Sequence, residues 1–171
     1  MKIYFIGMPG AGKTTLGRAL AEKLKIPFID LDAEIEQQEG EPIKKVFERK
    51  GEPYFRQAEA VALRQLSDQN PSFVMATGGG TPCFYDGIEF MNRNGVSIFL
   101  DVPVDMLVSR MNSKEALKRP LLKSANSINE TLQHLLHERK KIYQRATYQV
   151  TDADLPKLLQ LLKSSEGKTN S

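Results

Sequence analysis

The stretch that most limits what this chain can fold into is Gly7-Met8-Pro9-Gly10-Ala11-Gly12-Lys13-Thr14. It fits the pattern G-x-x-x-x-G-K-[ST], a loop whose glycines let backbone N–H groups close around phosphate oxygens. Such a loop works in one setting: it leaves a buried strand and opens a helix, whose N-terminal dipole then faces the anion. The flanks supply that setting. Ile3-Tyr4-Phe5-Ile6 is a short apolar run halted by Gly7, and from Thr14 to Lys25 apolar residues recur at Leu16, Leu20 and Leu24, the spacing of one helix face. At average residue usage a random chain of this length carries the pattern roughly 0.5% of the time, so a chance glycine turn is set aside. The motif assigns Gly10, Ala11, Gly12, Lys13, Thr14 and Thr15 to a nucleotide. Lys13 supplies a point charge for the β- and γ-phosphates, and Thr14 offers a hydroxyl to Mg²⁺.

The rest of the chain alternates strand and helix. Apolar runs at Phe28-Ile29, Phe73–Thr77 and Ser97–Leu100, with a weaker one at Gln149–Thr151, read as strands. Helical patterns are predicted over Ala33–Gln38, Ile43–Lys50, Tyr54–Leu66, Asp86–Asn92, Val104–Met111, Ile128–Arg145 and Leu155–Leu162. Strands that are apolar throughout imply a parallel sheet covered on both faces, a three-layer α/β/α arrangement. Ligands of such sheets bind at the carboxyl ends of the strands. One domain is expected over residues 1–163, and the polar stretch Ser164–Ser171 is expected to be a disordered tail.

Composition narrows the partners. The net charge is +3 and the basic residues are spread along the chain, so nothing argues for nucleic acid. No run approaches the ~18 apolar residues of a membrane span, and the N-terminal apolar run is too short for a signal peptide. The single cysteine, Cys83, cannot form an intrachain disulfide. These absences set the expectation of a cytoplasmic protein; a monomer is also expected.

The motif's class is narrowed by what surrounds it. No Asn-Lys-x-Asp is present to read guanine, and the third strand runs into Thr77-Gly78-Gly79-Gly80 instead of a carboxylate, unlike a motor-type ATPase. The acidic groups sit at Asp30 and Asp32, after the second strand. With a strand's period of two, both can point one way while Leu31 enters the core. One carboxylate can then hold the water shell of Mg²⁺ and the other take a proton from an alcohol. The alternative for Asp32 is a helix N-cap before Ala33. Arg56 and Glu59 are helix neighbours, so Glu59 can fix the guanidinium with its free edge toward a ligand carboxylate; an ordinary surface pair is the competing reading. Gly78, Gly79 and Gly80 allow close approach of a ligand at the end of a strand. The lysine-rich segment Ser113–Ser124, which holds Arg119-Pro120-Leu121-Leu122, lies where a mobile lid would close. Arg139 lies one helical turn before Tyr143, beside Lys140 and Lys141, and spacing alone reads it as surface charge.

In order and spacing this set, from the GxxGAGKTT loop through Asp-x-Asp, Phe-Arg-x-x-Glu, Gly-Gly-Gly and Arg-Pro-Leu-Leu to Arg139 with Tyr143, resembles the shikimate kinase family over about residues 1–160. The resemblance implies a five-stranded parallel sheet of the nucleoside monophosphate kinase type. It also implies transfer of the ATP γ-phosphate to the 3-hydroxyl of shikimate, giving shikimate 3-phosphate and ADP, in chorismate and aromatic amino acid biosynthesis. By the same resemblance Thr14 and Asp30 serve Mg²⁺, Asp30 through water. Asp32 meets the substrate's hydroxyls as base or orienting group, Arg56 and Arg139 grip its carboxylate with Gly79, Arg119 is the lid arginine, and Arg110 lies against adenine with Asp152–Pro156 opposite. Two rivals remain at this stage: a sister kinase of gluconate or a nucleoside monophosphate, and an inactive nucleotide-binding module, which should have lost Lys13, Asp32 or Arg119.

Overall fold

The central strand is also the most deeply buried. The structure is a computed structural model describing residues 1–111 and 128–166. In it β1 (Lys2–Ile6) places Ile3, Tyr4, Phe5 and Ile6 wholly out of solvent. Strand β1 pairs in parallel with β3 (Phe73–Ala76) on one side and β4 (Val96–Leu100) on the other, with Phe5 opposite both Ala76 and Ile98. Outside these lie β2 (Phe28–Asp30) and β5 (Tyr148–Val150), giving the all-parallel order β2-β3-β1-β4-β5. Asp30 is level with Ala76, so the loops after β1, β2 and β3 leave the sheet side by side.

Helices connect every pair of strands, as parallel pairing requires. Helix α1 (Lys13–Leu24) follows β1 and packs on β1, β2 and β3. Between β2 and β3 run α2 (Leu31–Glu39), α3 (Ile43–Lys50) and α4 (Glu52–Gln69). A short 3₁₀ turn, Thr81–Cys83, and α5 (Gly87–Asn94) lead from β3 to β4. Helix α6 (Val104–Arg110) packs against α7 (Ile128–Tyr143), and α8 (Leu155–Glu166) packs on α1. The continuous apolar strands therefore do form a parallel sheet flanked by helices.

Burying Tyr4 in the middle of the sheet requires a partner for its hydroxyl. The hydroxyl donates to Ser67 Oγ at 2.9 Å, and Ser67 donates onward to the Leu63 carbonyl at 2.7 Å. Burial pushes the Tyr4 phenol above its ordinary range. Among the described residues no buried side-chain nitrogen or oxygen lacks a partner, and no helix is long and apolar enough to cross a membrane.

Some boundaries differ from the sequence reading. Helix α2 starts at Leu31 instead of Ala33, α4 starts at Glu52 instead of Tyr54, and α8 continues to Glu166, into the stretch expected as tail. The early start of α4 follows from Pro53 in its first turn, which has no N–H to leave unpaired there. The expected lid, Ser113–Ser124, and its Arg119 lie outside the described residues.

Candidate active site

The loop between β1 and α1 needs glycine for steric reasons. Gly10 and Gly12 have φ of 80° and 95°, where other side chains are strained, and a Cβ on Gly7 would stand 2.9 Å from the Leu100 carbonyl. Lys13, nearly buried, folds back over the loop and donates from Nζ to the carbonyls of Gly7 at 2.7 Å and Met8 at 2.8 Å. A cavity of about 660 Å³ opens in front of the loop. Its walls include Gly10 to Thr15, Asp30, Asp32, Thr77, Arg110 and Asp152. Arg110 donates to the Gly10 carbonyl at 3.4 Å, at the mouth of the loop.

The two aspartates are not arranged as strand alternation predicted. Asp30 is the last residue of β2 and the N-cap of α2: its Oδ1 accepts from Ala33 N at 3.3 Å. Asp32 is inside the first turn of the helix, so capping falls to Asp30 and not to Asp32. Both carboxylates still line the cavity. Thr14 Oγ1 donates to Asp30 Oδ2 at 3.2 Å, which puts two hard oxygen donors together at the phosphate end. That donor set fits Mg²⁺, which takes few protein oxygens and keeps several waters.

Beyond Asp32 and Thr77 the site is packed tight. Gly78, Gly79 and Gly80 are all buried, and each is needed small by a different charged neighbour. A Cβ on Gly78 would approach Glu59 Oε1 to 2.7 Å and Asp32 Oδ1 to 3.0 Å; one on Gly79 would approach Arg139 Nη1 to 2.8 Å. One on Gly80 would strike the guanidinium of Arg56. The triple glycine is therefore a close-packed floor and not a flexible turn.

Arg56 and Arg139 are 5% and 7% exposed, which removes the surface reading of both. Arg139 turns inward from α7 while Lys140 and Lys141 stay exposed. Arg56 Nη1 donates to Glu59 Oε2 at 3.0 Å, and Glu59 Oε1 accepts from Thr81 Oγ1 at 2.6 Å. The guanidinium lies over two aromatic rings, 4.5 Å from the centroid of Phe84 and 5.3 Å from that of Phe55.

The sequence reading missed Phe84 and Arg64, and it named Tyr143 without its contact. Phe84 sits in a loop where Tyr85 and Asp86 both adopt left-handed φ, 49° and 54°, and Arg64 Nη2 pins that loop by donating to the Tyr85 carbonyl at 2.6 Å. Tyr143 donates to the Gly79 carbonyl at 2.6 Å and packs on Phe99. Burial pushes the Tyr143 phenol far above its ordinary range, so it remains a donor. Burial also raises the Cys83 thiol, against the lowering pull of Arg139 and Arg56.

A phosphate loop, a two-carboxylate wall and a pair of buried arginines on one parallel sheet define a P-loop kinase of a small anionic acceptor. Comparison with known proteins narrows the class. The shikimate kinase family model matches residues 9–164. The shikimate kinase of Aquifex aeolicus (strain VF5) is 38% identical over 169 residues, covering 98% of this chain and 97% of that protein. The shikimate kinase of Bacteroides thetaiotaomicron is 40% identical over 150 residues, covering 86% and 85%. The structure of a shikimate kinase from Acinetobacter baumannii in complex with shikimate superposes with a TM-score of 0.89 at 37% identity, covering 96% of this chain and 93% of that one. The chain belongs to the shikimate kinase family, which sets aside the gluconate and nucleoside monophosphate kinase readings.

Proposed function

We propose that the protein transfers the γ-phosphate of ATP to the 3-hydroxyl of shikimate, and that Lys13, Asp32, Arg56 and Arg139 carry the reaction. The observation that carries this reading is the juxtaposition of two nearly buried arginines, a floor of glycines and a carboxylate beside a phosphate loop. An acceptor with one carboxylate and several hydroxyls asks for this pairing of charges.

The nucleotide phosphates lie against the loop and the N-terminus of α1, with Lys13 turning from its loop carbonyls to their oxygens. Arg110 and Asp152 flank the outer cavity, where the adenine ring is placed. The shikimate carboxylate is held by Arg56 and Arg139, with Gly79 beneath it. The 3-hydroxyl then faces Asp32, which orients it and takes its proton as the new bond to phosphorus forms and the bond to the ADP oxygen breaks. Thr14 and Asp30 would hold Mg²⁺, Asp30 through water. The ion would neutralise charge on the phosphates. The lid role of Arg119 rests on the motif alone. We further propose that residues 1–163 act as one kinase domain and that the protein is a cytoplasmic monomer.

The test is turnover by the purified protein with ATP and Mg²⁺, coupled to ADP release, across shikimate, gluconate and nucleoside monophosphates. Shikimate-dependent ADP release is expected. Turnover of another acceptor in its place would overturn the assignment.

A further inference from the structure

The guanidinium of Arg56 carries two carboxylates, and they are held very differently. Glu59 is 2% exposed, bonded to Nη1 at 3.0 Å and locked by Thr81. Glu52, the first residue of α4, is 44% exposed. A single oxygen, its Oε1, accepts from both Nε at 3.3 Å and Nη2 at 3.4 Å. It therefore occupies the outer fork of the guanidinium, the edge a planar carboxylate takes in a bidentate contact.

The geometry of the fork gives the reason. Around the triple glycine stand Arg56 and Arg139 with the carboxylates of Glu59 and the less buried Asp32. A buried guanidinium edge without an acceptor is costly. In the free protein Glu52 covers the outer edge of Arg56; a bound carboxylate ligand would bring the same single charge to the same fork. The contacts of Glu52 are long, its side chain is half in water, and at a helix N-terminus its carboxylate is stabilised even when released.

We propose that Glu52 is a displaceable stand-in for the substrate's carboxylate: it covers the outer fork of Arg56 in the empty site and is exchanged for shikimate on binding. The inference rests on the proposed reading of Arg56 as a carboxylate holder. Glu52 is thus a positioning residue that keeps the fork open in shape and lowers apparent affinity.

Calorimetric titration of shikimate without ATP tests it on three proteins. Glu52→Gln removes the competing charge, and Glu52→Asp keeps a charge at the helix start while withdrawing it from the fork. Both are expected to bind shikimate about two- to fivefold more tightly than wild type, the range for a partly exposed ion pair. Shikimate KM should fall in parallel while ATP KM stays fixed. Were Glu52 merely structural, its loss would loosen Arg56 and weaken binding, so the sign of the change decides. Wild type that binds shikimate, with unchanged or weaker binding in Glu52→Gln, overturns the inference alone. A gain in Glu52→Gln but none in Glu52→Asp also overturns it, by assigning the effect to long-range charge. No binding by wild type overturns the shikimate reading and this inference with it.

Discussion

The nucleotide end and the proposed acceptor end of this site are built by opposite means. The nucleotide end is one continuous loop whose chemistry lies in backbone N–H groups, with Gly10 and Gly12 in left-handed conformations that few other residues adopt. The acceptor end is assembled from side chains on α4 and α7 over a glycine floor from β3, and its charges are nearly buried. A loop of backbone donors binds any polyphosphate of the right shape. Specificity for one acceptor needs charged groups held in fixed positions, which takes contacts from several elements. Substitutions at the first end should therefore damage catalysis broadly, and those at the second should act on one substrate.

The largest effect is expected at the nucleotide end. Lys13→Ala should lower kcat on the order of 10³-fold in a folded protein, because in the proposed mechanism its ammonium is the loop's positive charge for the transferring phosphate. A folded variant keeping more than about a tenth of wild-type kcat would mean that the backbone alone does the work.

Asp32 and Asp30 stand where the two ends meet, and they separate by metal dependence. Asp32→Asn should lower kcat by roughly 10²-fold, since an amide can hold the hydroxyl but cannot accept its proton. Asp30→Asn should be partly rescued by raised Mg²⁺ if that carboxylate acts, as proposed, through the metal's water shell. The measurement is kcat against Mg²⁺ for both variants at saturating substrates. Rescue of Asp32→Asn and not of Asp30→Asn would reverse the two assignments.

At the acceptor end Arg56→Lys should raise shikimate KM by roughly 10- to 30-fold and leave ATP KM within about twofold. Lysine keeps the charge but cannot lie against Phe84 and Phe55, reach Glu59 and present a fork together. Equal rises for both substrates would place Arg56 outside the acceptor site.

The same division explains what could be read from the sequence. The phosphate loop is contiguous, so its spacing carries its geometry, and the apolar strands announced the parallel sheet. The Arg56–Glu59 contact was legible as helix neighbours, but its burial was not, because the covering residues come from Gly80 and Phe84. Spacing alone did not separate Arg139 from Lys140 and Lys141, which takes the rotation of α7; only the family resemblance singled it out. The aspartates were found for a geometry that does not exist: β2 ends at Asp30, whose capping bond to Ala33 turns the chain into helix before Asp32. Glu52 was missed because the predicted helix began at Tyr54, which hid its one-turn relation to Arg56.

The smallest effect tests whether the glycine floor must be held as well as shaped. Tyr143 reaches from α7 to the Gly79 carbonyl at 2.6 Å, one turn from Arg139, with its ring against Phe99. Tyr143→Phe keeps the ring and deletes only the donor, so the buried carbonyl loses a partner at a cost of about 1–3 kcal/mol. For a chain of this size each kcal/mol lowers Tm by ~2–4 °C, so a modest loss is expected in a thermal scan. That loss alone would describe an ordinary buried hydrogen bond. The informative readout is kinetic. Gly79 lies against Arg139, is not among the walls of the nucleotide cavity, and in the proposed reading lies beneath the acceptor, so loosening it should raise shikimate KM by about three- to tenfold. ATP KM should remain within about twofold. If both rise together, Gly79 transmits to the phosphate loop through Pro9, whose ring would stand 3.4 Å from a Cβ on that glycine. The two ends would then be one mechanical unit. If neither moves while Tm falls, the floor is held by packing, and the hydroxyl serves stability only.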